Sequence, residues 1–138
     1  VMHYWIFMFR PDTYEKVKEH QTIGVRERVR KRFAEVGKGD RFVVYVSRAK
    51  LLDGYGEVTS DPFEEDTLIF SDDQVYFHRA KVHFDRVGAA VPAGDELWGL
   101  SPFQENLRTE PANLILCKGG FIEISKDDYE HVVELTRG

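Results

Sequence analysis

Arg41-Phe42-Val43-Val44-Tyr45-Val46-Ser47 is an unbroken run of aromatic and β-branched residues, set between a Lys38-Gly39-Asp40 turn and a polar stop. It is too short for an ordinary helix and apolar on both faces, so it reads as a central strand. Upstream, Tyr4 to Phe9 (YWIFMF) has the same character and reads as a second buried strand, ended by Pro11. Two helical patterns lie between them. Asp12, followed three residues on by Glu15, is a capping-box pattern that predicts a short helix through about His20. After Gly24, the residues Val25, Val29, Phe33 and Val36 recur on one helical face, with Gly37 suited to the position just past the helix end.

Downstream, Gly54 to Thr59 (GYGEVT) reads as a strand whose glycines mark a bend or a close backbone approach. Thr67 to Phe70 reads as a short strand, with Ser71-Asp72-Asp73 as turn chemistry. Val75 to Val87 reads as a long half-buried strand, with Ala80, Val82 and Phe84 on one face and Arg79, Lys81, His83 and Asp85 on the other. Trp98 to Arg108, interrupted by Pro102, reads as loop or a single helical turn. Asn113 to Cys117 and Phe121 to Ile124 read as a last pair of strands around Gly119-Gly120. Ser125-Lys126-Asp127-Asp128 then caps a terminal helix carrying Tyr129, Val132, Val133 and Leu135. These elements make a single α+β domain over residues 2–138: a small mixed β-barrel with two helices inserted early and one at the C-terminus.

The 138 residues are 42% hydrophobic and 31% charged, which suits a packed domain and excludes a disordered tail, a fibre or a disulfide scaffold. The lone Cys117 cannot pair within the chain, and with no apolar run near the ~18 residues of a membrane span the expectation is a cytoplasmic, reducing setting. The opening residues lack the basic region and cleavage site of a signal peptide. The net charge of −5 argues against coating nucleic acid by bulk electrostatics. The charge is segregated, however. Residues 16–50 carry eleven Lys/Arg against four Asp/Glu, while Asp53 to Asp73 holds eight acids and no base. A basic face follows if the fold keeps these segments apart; otherwise they are a solvated helix and acidic loops.

Motifs for nucleotide hydrolysis, serine nucleophiles or zinc are missing. His83 with Asp85 is the one pair that could relay a proton, and its ordinary role is structural. Glu64-Glu65-Asp66 lacks a matching histidine, so neither a metal nor a cofactor is expected. Cys117, beside Ile115 and Leu116, reads as a buried inert thiol. What the chain does offer is aromatics and cations. Trp98 and Phe103 stand in a loop, and Arg26, Arg28, Arg30, Lys31 and Arg32 crowd one short segment. A flat apolar slot beside cations can hold a base and its phosphates, although such aromatics also serve as plain packing. Ser47, at a strand end, could hydrogen-bond a base edge or simply close a turn.

Six segments, YWIFMFRPD, IGVRE, GDRFVVYVS, GYGEV, YFHRAKV and FIEISKDDYEHVVEL, come in an order that resembles the EVE domain family. The resemblance implies a PUA-like barrel, related to YTH and ASCH domains, without catalytic machinery. It also implies a base held in an aromatic-lined cleft near Trp5, the Ile23-Gly24-Val25-Arg26 step, Tyr45 to Ser47, Tyr76 and Trp98. Phe103 joins these as a loop aromatic, and Arg26 and Arg30 are the expected phosphate contacts. Many relatives carry Trp where this chain has Thr22 or Ile23, Asn where it has Glu27, and Glu where it has Arg10. Either Tyr76 and Trp98 then do the stacking or the pocket takes a different ligand. The expected function is non-enzymatic binding of DNA or RNA, reading a modified or flipped base. The alternative is a small-molecule, nucleotide or protein-binding module on the same barrel, and the oligomeric state is left open.

Overall fold

The computed structural model describes residues 2–70 and 76–137. The Ser71-Asp72-Asp73 turn and the predicted strand start at Val75 lie outside the described residues. β1 (Tyr4–Phe9) and β3 (Arg41–Val46) run side by side and parallel, with Ile6 opposite Val43 and Phe9 opposite Val46. Both are buried on both faces, which is why each reads as a continuous apolar run rather than an alternation. Trp5, Phe7, Phe42 and Val44 enter one apolar cluster, and Ile6, Val43 and Tyr45 enter a second on the opposite face. β4 (Leu51–Val58) lies antiparallel to β3, and β6 (His78–Arg86) antiparallel to β4. β2 (Thr22–Val25) pairs with the start of β6, while β8 (Phe121–Ile124) pairs with β1 at the other end. The order β2-β6-β4-β3-β1-β8 forms a strongly curled half-barrel, to which the two-residue strands β5 (Phe63–Glu64) and β7 (Val91–Pro92) attach.

The predicted close approach at the glycines of β4 is present. A Cβ on Gly54 would lie 2.3 Å from the Arg86 carbonyl oxygen, and one on Gly56 would lie 2.0 Å from that of His83. The β4–β6 register shifts between Tyr55 and Gly56, so the bare glycine backbone lets β6 cross tightly where the sheet bends.

α1 (Pro11–His20) contributes Tyr14 and Val17 to the first cluster. Pro11 is its first residue, so Asp12 sits inside the first turn and the helix begins without a side-chain cap. The terminal helix α6 (Lys126–Arg137) has its predicted cap, the Asp128 N–H donating to Ser125 Oγ at 3.1 Å. The helix predicted from Val25 to Val36 is shorter: a 3-10 turn at Glu27–Val29 followed by α2 (Arg30–Phe33). Gly39, not Gly37, takes the positive φ in the turn that follows.

Four further expectations are met in part or corrected. Of the loop or single helical turn expected for Trp98 to Arg108, the turn forms as α4 (Ser101–Gln104), preceded by α3 (Gly94–Trp98), and the two bury Phe103 and Leu97. Asn113 to Cys117 belongs to α5 (Pro111–Cys117), which starts on a proline and buries Pro111 and Ile115 one turn apart. Cys117, at the end of that helix, is exposed rather than buried. Thr67 to Phe70 forms no strand; β6 already pairs with β2, β4 and β5. No helix among the described residues is long and apolar enough to cross a membrane.

Buried polar groups tie these pieces together. The Asp40 carboxylate accepts from His3 N–H, Trp5 Nε1–H and Gly37 N–H at 2.9–3.1 Å. Asp53 accepts the Tyr14 hydroxyl at 2.9 Å and the Gly88 and Ala90 amides, and burial followed by this bond raises the Tyr14 pKa. Arg79, placed on an outward face by the alternation, is fully buried.

Candidate functional site

At the carboxyl ends of β1 and β3 the chain diverges. Phe9 leads through Arg10 into α1, while Val46 leads through Ser47 to Arg48, whose φ is 68°. Ser47 N–H donates to the Phe9 carbonyl at 2.8 Å, so the two strand ends stay joined. A crevice outside the carboxyl ends of parallel strands is a common ligand position in open sheets. Here it is a cleft of ≈370 Å³. Phe7, Met8 and Phe9 contribute from β1, Gly24 and Val25 from β2, and Ala112, Asn113 and Leu116 from α5. Gly119, Gly120 and Tyr76 complete the walls, with Thr13 and Ser47 as hydroxyl groups.

Arg10, Arg26, Arg28 and Arg48 also line this cleft, and among the described residues no carboxylate does. Arg10 has only a distant pairing with Asp12, at 3.9 Å, while Arg26, Arg28 and Arg48 have no ion-pair partner among the described residues. In the sheet order β2 is far from β1 and β3, so Arg26 and Arg28 come from a different part of the curled sheet than Arg10 and Arg48.

The wall at Tyr76 depends on Gly24. A Cβ there would lie 2.7 Å from the Phe70 ring and 2.9 Å from Tyr76 Cβ. Glycine thus lets the Phe70–Tyr76 edge-to-face pair, with centroids 5.4 Å apart, close on β2. Buried Arg79 holds the same wall from behind. Its Nε–H donates to the Tyr76 carbonyl at 2.8 Å, its Nη1 to Glu65 at 2.7 Å and Thr67 Oγ1 at 2.8 Å, and its Nη2 to the Thr67 carbonyl. Between Arg26 and Arg28, Glu27 turns away and bonds His78 Nε2. That hydrogen bond, helped by charge and by Arg30, holds the Glu27 carboxyl below the usual carboxylate range.

The structure brings Gly24, Val25, Arg26, Ser47 and Tyr76 together around the cleft. The other expected residues go elsewhere. Trp5, Ile23, Tyr45 and Phe103 are buried in the two apolar clusters, the Trp5 indole being held by Asp40. Their bulk is needed for packing, which leaves no face open to a ligand. Trp98 is half-buried against the second cluster, away from the cleft. Arg30 donates to Glu27 at 2.9 Å and lines a separate hollow with Lys31, Phe63 and His78. His83 and Asp85 are exposed, 3.6 Å apart, and do not line the cleft. Sequence reasoning missed Arg48 and Leu116 as cleft residues. Arg48 directly follows the strand-end Ser47. Leu116 is hidden in an apolar run that resembled a strand, and its 60% exposure emerges only once that run is helical.

A family model described as the EVE domain matches residues 3–135. The UPF0310 protein PH1033 of Pyrococcus horikoshii is 30% identical over 100 residues, covering 63% of this chain and 69% of that protein. The UPF0310 protein PYRAB08750 of Pyrococcus abyssi is 29% identical over 98 residues with the same coverage. Among solved structures, the YTH domain of Zygosaccharomyces rouxii MRB1 protein in complex with N6-methyladenosine RNA superposes with a TM-score of 0.70 at 21% identity, covering 98% of this chain and 88% of that one. A hypothetical protein from Leishmania major gives 0.67 at 16% identity, with 99% and 96% covered. The curled sheet is therefore of the PUA-like kind shared with YTH domains, and with the family model running along nearly all of its length, this chain belongs to the EVE domain family.

Proposed function

We propose that the domain is a non-catalytic reader of single-stranded or locally opened nucleic acid. It takes one base, modified or splayed out of its stack, into the cleft beside Tyr76. The observation that carries this reading is the meeting, in one ≈370 Å³ cleft, of an aromatic wall and four arginines with no lining carboxylate among the described residues. Tyr76 supplies a ring face, Leu116, Val25 and Phe9 supply apolar sides, and Ser47 and Asn113 supply polar groups for a base edge. Arg26, Arg28, Arg48 and Arg10 grip the phosphates on either side. A shared fold with YTH domains solved with N6-methyladenosine RNA supports the same direction.

The test is a titration of short single-stranded DNA and RNA, with and without base methylation, at several salt concentrations. Binding is expected to weaken with salt by about 0.7 log units per log unit of salt for each phosphate contacted. Tyr76→Ala should weaken it by the ~1–3 kcal/mol of one base stack, about 5- to 150-fold, while Tyr76→Phe retains most of it. Binding indifferent to salt, to modification and to Tyr76→Ala would overturn the proposal.

A further inference from the structure

β8 ends the sheet, so one of its edges has no neighbouring strand among the described residues. Hydrogen-bond parity fixes what that edge presents. The Met8 N–H donates to the Gly120 carbonyl at 2.8 Å, and the register sets Ile6 opposite Ile122 and Tyr4 opposite Ile124. Alternate residues of an antiparallel strand bond to the same neighbour, so Ile122 and Ile124 face β1 while Phe121 and Glu123 turn their backbone groups outward. The Phe121 carbonyl indeed accepts Arg32 Nη2 at 3.0 Å from outside the sheet. Among the described residues nothing bonds the Glu123 backbone N–H or C=O.

Along this edge runs an open groove of ≈510 Å³, separate from the arginine-lined cleft. Arg32 and Glu35 flank it on the α2 side, and Pro102, Glu105 and Leu114 on the α4–α5 side. Glu35 and Glu105 belong to no ion pair among the described residues, and Glu123 has only His3. Of the two cations present, Lys118 stands beside the Phe121 end. Arg32 is already committed to the Phe121 and Lys118 carbonyls and lies 4.5 Å over the Phe121 ring. The groove thus offers a vacant strand edge with unpaired carboxylates on both sides.

We infer that this groove takes an extended peptide segment of a partner protein, bearing Lys or Arg at adjacent positions, as an added strand against β8. The peptide backbone pairs with the Glu123 N–H and C=O, and because successive side chains point to opposite faces, adjacent basic residues meet Glu35 and Glu123 on one face and Glu105 on the other. A peptide is favoured over a second copy of this chain because β8 itself, Phe121-Ile122-Glu123-Ile124, carries an acid and no base.

The experiment selects phage-displayed random heptapeptides on the intact domain and resynthesises those that bind. Adjacent basic residues and no proline are expected in the selected sequences. Bound peptide should slow hydrogen exchange of the Glu123 amide. N-methylation of alternate peptide amides should abolish binding. Glu35→Lys combined with Glu105→Lys should weaken peptide binding about tenfold while oligonucleotide binding at the other cleft persists. The inference is overturned if no peptide is selected, if those selected lack the adjacent basic pair, or if N-methylation leaves binding unchanged. It is also overturned if an oligonucleotide or a second copy of the chain is what protects Glu123.

Discussion

His3 shows how one side chain reports on the sheet it borders. Its Nδ1 lies 2.5 Å from a Glu123 carboxylate oxygen, joining the approach to β1 with β8 across the sheet edge, while its amide is held by Asp40. The hydrogen bond to Glu123 raises its pKa above 6.5; burial opposes this, and the charges of Glu123 and Asp40 reinforce it. A group whose folded pKa is raised contributes stability that is fully present below its unfolded pKa and lost as pH rises through the folded value. We therefore expect wild type to exceed His3→Gln in urea midpoint at pH 5 to 6, with the gap closing above neutrality. A gap that widens with pH would show the opposite linkage. Arg79 marks the limit of such single-residue reasoning. By alternation it belongs with exposed Lys81 and His83, but the 65–67 segment folds over it and satisfies its guanidinium. Only the packed segment reveals that a charge there is buried.

Elements were legible where a sequence period matched one environment along their length. β1, β3 and the alternating body of β6 meet that condition, and so does α6 with its serine cap. The connection between β7 and β8 does not, because its helices are short and a four-residue apolar run looks the same as strand or helix. The residues of the candidate site divide similarly. Gly24 to Arg26 and Ser47 lie at strand ends marked by glycine and serine and could be placed from sequence. Trp98 and Phe103 are open to a ligand only if their segment is loop, and the helical turns α3 and α4 set both against the second apolar cluster. The glycines of β4 were legible for a different reason: glycine inside a strand has a cost, so its presence implies a neighbour too close for a side chain. At Gly56 that neighbour is the His83 backbone, which cannot rotate away as a side chain would. Gly56→Val should lower the unfolding free energy by clearly more than the ~1 kcal/mol range of strand propensity. Equilibrium urea denaturation measures it, and a change within that range would mean that β4 and β6 separate without loss.

Over the whole molecule, the proposed role requires a chain of net charge −5 to attract a polyanion to one place. Segregation does part of this, because the basic segment of residues 16–50 supplies β2, the 3-10 turn and the Ser47-Arg48 step after β3, which border the cleft. Charge alone does not choose among the arginines of that segment. Arg28 lines the cleft, whereas Arg30, two residues on, is bound to Glu27 and lines another hollow. Replacing either by glutamine changes the net charge by the same amount, so their difference isolates geometry from bulk electrostatics. If phosphates are gripped at the cleft, Arg28→Gln weakens oligonucleotide binding and makes the slope of log affinity against log salt shallower by about 0.7, the loss of one contact. Arg30→Gln then shifts affinity only slightly, through the long-range field that salt screens within ~10 Å at 0.1 M, and leaves the slope in place. Equal losses in the two variants would mean that the nucleic acid senses a diffuse basic face, and the arginine-rimmed cleft would lose its claim to be where the strand is held.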